Sequence, residues 1–175
     1  MFHLNDFLAT RTIPVRKKDN SARPVGIGDV IRRVTLKVID QYHRSKIIAN
    51  WNLQMGNGIT GGNEAIVHTL RDASEVMETN GYVILTIDAS NAFNCIDRRL
   101  ALETMHDKIP ELYLTSLNTY GSPSYTVING MKHPVEQGTS QGCPHAGSFF
   151  NVGFANANDT ISKGTIAMDR NSKRT

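Results

Sequence analysis

The chain has 175 residues, 39% of them hydrophobic, which supports one ordinary core and speaks against both disorder and a multidomain layout. No apolar run approaches the ~20 residues of a membrane helix, Met1 to Asp6 lack the marks of a signal peptide, and two cysteines, Cys95 and Cys143, exclude a disulfide framework. Net charge is only +3, yet from Arg11 to Lys46 ten Lys or Arg stand against three Asp, a local +7.

These observations predict a soluble intracellular protein, nuclear or cytoplasmic, with no membrane association. The basic end favours a polyanion, nucleic acid or nucleotide phosphate, unless its cations form a plain solvated face.

Two short strands are expected between Ile13 and Ile27, joined by a polar turn at Asp19-Asn20-Ser21 with basic residues on either side. Asp29 suits a helix N-cap. Val30, Ile31, Val34, Val38, Ile39 and Tyr42 then recur at helical spacing, which predicts a helix to about Ile48 with that face buried and Arg32, Arg33 and Lys37 mostly outside.

After a glycine-rich loop from Gln54 to Gly62, Asn63 is a second N-cap candidate, with Ile66, Leu70, Ala73 and Met77 on one side of the helix that follows. Tyr82 to Ile87 is an apolar run of strand formers ending at Asp88, the pattern of a strand buried on both faces. Arg98 to His106 and Pro110 to Tyr120 read as helices. Tyr125 to Ile128 and the residues around Val135 flank Asn129-Gly130, a preferred hairpin turn. One more helix is expected from Gly147 to about Ala157, and no clear element beyond Asn158. The fold class is α/β (α+β): a small, mostly antiparallel sheet with packed helices, in a single unit.

A carboxylate closing the most buried strand of an α/β fold stands where ligands bind, although such residues also serve as plain caps. The segment Leu85-Thr86-Ile87-Asp88-Ala89-Ser90-Asn91-Ala92-Phe93 resembles the first catalytic motif of reverse transcriptases, an aspartate followed five residues later by an aromatic. Three further blocks are similar to that family in the same order. Arg23 to Arg33 resembles the fingers segment of non-LTR retrotransposon enzymes, Gln54 to His68 their next block, and Gly138-Thr139-Ser140-Gln141-Gly142-Cys143-Pro144 their Gln-Gly-x-Pro motif. The resemblance spans roughly residues 11 to 155.

The resemblance implies polymerase fingers over about 11–80, a partial palm over about 81–158 and a poorly defined tail over 159–175. It implies an RNA-directed DNA polymerase that transfers dNMP from a dNTP to a primer 3′-hydroxyl on an RNA or DNA template, with two divalent ions ~3.5 to 4 Å apart. Mg²⁺, or Mn²⁺ in its place, takes hard oxygen ligands, so Asp88 is the catalytic and metal-binding carboxylate and the Ala89 carbonyl a second ligand. Phe93 packs under the incoming sugar and excludes a 2′-hydroxyl, or else is a core aromatic. Lys17 and Arg23 hold the triphosphate, with Lys18 or Arg16 as substitutes for Lys17. Gln141 and Gly142 approach the nucleotide or template.

The sequence departs from the family in two places. His145-Ala146 replaces the usual apolar residue after the motif's proline, and His145 is read as a surface or loop histidine. The aromatic-x-Asp-Asp motif is absent. Asp159 lies only eighteen residues after Gln141, too few for the helix, loop and strand that must intervene, and Asp169 lacks a paired carboxylate and a preceding strand.

The expectation is therefore a reverse transcriptase domain truncated before that motif and inactive alone. The alternatives are a catalytically dead remnant that keeps a basic nucleic-acid-binding surface, and an RNA-templated RNA polymerase, against which the bulk of Phe93 argues.

Overall fold

A computed structural model of the chain describes residues 7–50, 54–56, 59–80, 84 and 86–155, the side chains of 75–80 excepted. Strands β1 (Thr10–Arg16) and β2 (Ala22–Gly28) form the expected antiparallel hairpin, with Thr10 opposite Gly28 and Arg16 opposite Ala22. Its turn is held locally: the Asp19 carboxylate accepts from the Ser21 amide (3.0 Å) and hydroxyl (2.7 Å), and Asn20 takes a left-handed φ of 64° that asparagine tolerates. Pro14 faces Pro24, a rung without amide donors. It is accommodated because β1 pairs with its other neighbour only near Thr10 and Arg11.

Asp29 caps α1 (Val30–Tyr42), its carboxylate accepting from the Ile31 and Arg32 amides. The predicted burial of α1 is overturned. Val30, Ile31, Val34 and Val38 are exposed and Tyr42 is 82% exposed, while Arg32 and Leu36 are buried. Arg32, Leu36 and Asp40 share the inward face at i, i+4 and i+8, and distant partners hold it there. Arg32 donates to the Leu8 carbonyl (3.0 Å), and Asp40 accepts from His145 and Ser148 far along the chain. The helix also does not run on to Ile48. His43 leaves helical geometry (φ −92°, ψ 10°), and a separate helix α2 (Arg44–Ala49) follows, with Ile47 in the core.

α3 (Gly62–Asn80) begins one residue before Asn63, with Gly61 in left-handed conformation (φ 69°) accepting from the Ala65 amide. The expected strand from Tyr82 to Ile87 is not seen among the described residues. Ile84, Thr86 and Ile87 are unpaired and Ile87 is 65% exposed, whereas Tyr82, Val83 and Leu85 lie outside the described residues. Asp159 and Asp169 lie outside them as well.

The short α4 (Ala92–Cys95) leads to α5 (Arg98–Lys108), capped by Asp97, and α6 (Pro110–Tyr120), which opens on a proline whose missing amide costs nothing in a first turn. Strands β3 (Ser124–Ile128) and β4 (Met131–Val135) follow. They pair through the Asn129-Gly130 turn, both residues at positive φ as a two-residue hairpin requires. The last helix among the described residues, α7, covers 146–155.

The described strands form one sheet in the order β2-β1-β3-β4, antiparallel except for a short parallel contact between β1 and β3. The main core lies among the helices, where Ile47, Ala101, Met105, Ile109, Leu112, Tyr120, Phe149 and Val152 pack together. No helix among the described residues is long and apolar enough to cross a membrane. Both cysteines are free.

Candidate functional site

The β1–β2 hairpin, the loop entering α4 and the turn entering α7 enclose a cavity of ≈ 680 Å³. Lys17, Arg23, Asp88, Ala89, Phe93, Gln141 and Gly142 all line it, so the seven residues singled out in three separate blocks of sequence share one concave surface.

The first wall is the hairpin tip. Arg16, Lys17 and Lys18 are adjacent in sequence, yet only Lys17 of the three lines the cavity. Arg16 is engaged elsewhere, donating from Nε (3.1 Å) and Nη2 (2.6 Å) to Asn20 Oδ1. The Lys17 amide donates to the Ser21 carbonyl (2.8 Å) and Asn20 returns a bond to the Lys17 carbonyl (3.2 Å), so the turn's own bonds fix the lysine's backbone. Arg23 projects from the next strand. Both residues are exposed.

The second wall runs from Asp88 to Phe93. Asn91 takes a left-handed φ of 51° and turns the chain into α4. Phe93 is half-buried and stacks on Phe150 of α7 with ring centroids 4.5 Å apart and planes 13° from parallel. The expected role under a sugar and the core role therefore do not compete: one face packs while the residue still lines the cavity. The Phe93 carbonyl accepts from the Thr139 amide (2.6 Å) and hydroxyl (3.2 Å), tying this wall to the segment before Gln141.

The third wall is Gln141-Gly142. The Gly26 amide of β2 donates to the Gln141 carbonyl (2.7 Å), and Gly142 adopts φ 112° so close to β2 that a Cβ would meet the Gly26 oxygen at 2.6 Å. Only glycine fits.

Asp88 is the single carboxylate among the lining residues, facing two cations. That charge balance suits a polyanion that brings its own cation. Asp88, with Ala89 beside it in the lining, could offer hard oxygen to one Mg²⁺ or Mn²⁺ ion. A pair of ions needs more. Among the described residues no group of three or more His, Cys, Asp or Glu is arranged to hold a metal.

A larger cavity of ≈ 1130 Å³ lies between α5, α6 and the end of β4, away from these residues. Asp97, Glu103, Asp107 and Glu136 line it against Arg98 and Arg99. Its arginines are engaged: Arg99 pairs with Glu103, while Arg98, buried, donates to the Gly138 (2.8 Å) and Val135 (3.2 Å) carbonyls. Burial lowers the pKa of Arg98. An anion has little to gain there, so the smaller cavity is the better candidate despite its size.

His145 lies in the turn before α7, as a loop histidine would, but it is not on the surface: it is fully buried, because both ring nitrogens have partners, Asp40 Oδ1 at 2.5 Å from Nδ1 and Ser116 Oγ at 2.8 Å from Nε2. Asp40, Ser116 and Arg98 had no local sequence signal, since each is defined by partners far along the chain. No family model matches the chain.

Proposed function

We propose that the chain is the fingers and partial palm of an RNA-directed DNA polymerase, and that the ≈ 680 Å³ cavity receives a dNTP with its Mg²⁺. The observation that carries this reading is the convergence of Lys17, Arg23, Asp88, Ala89, Phe93, Gln141 and Gly142 on one surface, three blocks in the order of the reverse transcriptase motifs they resemble. In this reading the cations bind the triphosphate, Asp88 and the Ala89 carbonyl hold the ion that accompanies it, Phe93 excludes a 2′-hydroxyl, and Gln141-Gly142 forms a close backbone wall beside the nucleotide. When bound, divalent metal supplies charge neutralisation of the phosphates and activation of the primer hydroxyl. A template and primer complete the substrate, and the basic segment from Arg11 to Lys46 favours both.

Calorimetric titration of Mg·dTTP tests the reading. Binding that falls about tenfold in Arg23→Ala or Lys17→Ala and weakens as salt rises is expected, since each lost charge-assisted bond is worth ~1.5 kcal/mol or more. Absence of binding by the unaltered chain at millimolar nucleotide sinks it.

The single lining carboxylate favours a second reading, a remnant that binds nucleotide or nucleic acid without polymerising. Retained binding with no incorporation in any longer form of the chain would select it.

A further inference from the structure

His145, Asp40, Ser116 and Ser148 form a buried polar cluster that lines neither cavity described above. It joins three helices. Asp40 belongs to α1, Ser116 to α6, and Ser148 to α7, with His145 in the turn just before α7. The Asp40 carboxylate accepts from the His145 ring at Nδ1 (2.5 Å) through Oδ1 and from the Ser148 hydroxyl (2.7 Å) through Oδ2, so both oxygens are used. Ser116 Oγ shares a hydrogen bond with Nε2 (2.8 Å). Tyr120 stacks alongside the imidazole at 6.3 Å and Phe149 lies at 6.4 Å, so aromatic rings flank the buried histidine while Asp40 stays partly exposed at the cluster's edge.

The arrangement of Asp, His and Ser is that of a hydrolytic relay, but Ser116 and His145 are 0% exposed, and no substrate atom can reach the serine. The cluster holds position. Two residues, Cys143 and Pro144, separate His145 from Gly142, and the turn is held by its own bonds, Cys143 amide to Ser140 carbonyl (3.0 Å) and Ala146 amide to Cys143 carbonyl (3.1 Å). At its other end the turn is pinned to β2 by the Gly26–Gln141 bond. The turn is thus held at one end by the partners of the histidine and at the other by β2, with the cavity-lining Gln141 and Gly142 between.

We infer that Asp40, His145 and Ser116 are positioning residues that set the Gln141-Gly142 wall of the nucleotide cavity from behind, linking α1 and α6 to that wall. This rests on the reading of the cavity as a nucleotide site. It adds that Asp40, which lines no part of the cavity, controls nucleotide affinity through the turn.

The test uses the full chain with Asp40→Ala, Ser116→Ala and, as the conservative control, Asp40→Asn, which keeps an acceptor facing Nδ1. Hydrogen exchange resolved along the chain, melting temperature and Mg·dTTP affinity are measured for each. The expected result is exchange that accelerates at the Cys143 and Ala146 amides but not across β3 and β4. Nucleotide binding should weaken about tenfold in both alanine variants, the effect of one or two buried hydrogen bonds, and Asp40→Asn should recover most of the loss. Acceleration spread evenly over β3 and β4, or an Asp40→Asn variant no better than Asp40→Ala, overturns the proposal. So does unchanged nucleotide affinity in alanine variants whose turn amides exchange faster. If the unaltered chain binds no nucleotide, the reading of the cavity fails by itself. The exchange pattern then still decides whether the cluster seats the turn: confined acceleration upholds that, and uniform acceleration refutes it.

Discussion

The amide of Gly26 donates to the carbonyl of Gln141 at 2.7 Å, and through that bond the basic hairpin and the turn before the last helix become two walls of one cavity. Gly142 stands immediately behind it, with φ 112° and no room for a side chain against the Gly26 oxygen. Gly142→Ala should destabilise the chain by about 2–3 kcal/mol, through left-handed strain together with a backbone collision. Gly130→Ala offers the contrast, since its φ of 80° carries the same kind of strain but nothing lies within 4 Å of a new Cβ, and about 1 kcal/mol is expected. Urea denaturation of the two variants measures the difference. Equal losses would mean that the hairpin and the turn are not in close contact.

Arg98 is buried with its guanidinium spanning the Gly138 and Val135 carbonyls, and it lies over the Tyr120 ring at 5.6 Å. Arg98→Ala should cost about 2–4 kcal/mol in urea denaturation, because the carbonyls lose a charged donor and the aromatic loses its cover. Arg98→Lys should recover little, as one ammonium cannot reproduce a forked contact in two directions. Full recovery by lysine would reduce the role of Arg98 to charge alone.

Lys46 on α2 pairs with Glu111 in the first turn of α6, and the hydrogen bond from the lysine holds the Glu111 pKa below its ordinary 4.5. A depressed carboxyl pKa contributes stability that is fully present above 4.5 and is lost as pH falls through the lower folded value. Glu111→Gln should therefore sit slightly below the unaltered chain in urea midpoint at pH 7, and the gap should close in acid. Both groups are exposed, so the effect is small. A gap that widens on acidification would contradict the assignment.

What was legible in the sequence was what local chemistry fixes. The Asp19-Asn20-Ser21 and Asn129-Gly130 turns, the Asp29 cap and the α5–α6 pair follow from residues within a few positions of one another. The cavity residues were legible for a different reason, the ordered motifs that name them. The inward face of α1 was not legible. Its apolar stripe from Val30 to Tyr42 points outward because Arg32 finds the Leu8 carbonyl and Asp40 finds His145, contacts that periodicity cannot register. The burial of His145 was not legible on the same ground: the histidine sits in a turn, and its burial depends on two partners that lie on distant helices. The apolar run before Asp88 read as a buried strand, yet Ile84 and Ile87 are exposed, since an apolar run states a preference for burial without supplying a partner to pair with.

With Asp88 as the only carboxylate lining the cavity among the described residues, and no aromatic-x-Asp-Asp sequence anywhere in the 175 residues, the purified chain should not extend a primer with either Mg²⁺ or Mn²⁺. Primer extension on a homopolymer template is the measurement. Sustained incorporation that vanishes in Asp88→Asn would show that another carboxylate completes the site.

The most direct test of the central claim, that one bound nucleotide sits among Lys17, Arg23, Asp88, Phe93, Gln141 and Gly142, is photo-crosslinking with an azido-dATP followed by mass-spectrometric mapping of the labelled peptides. Label confined to peptides containing 17–23, 88–93 and 141–142, and competed away by unlabelled dATP, is the expected result. Label concentrated between Asp97 and Tyr113, around the larger acidic cavity, or scattered without competition, would contradict it.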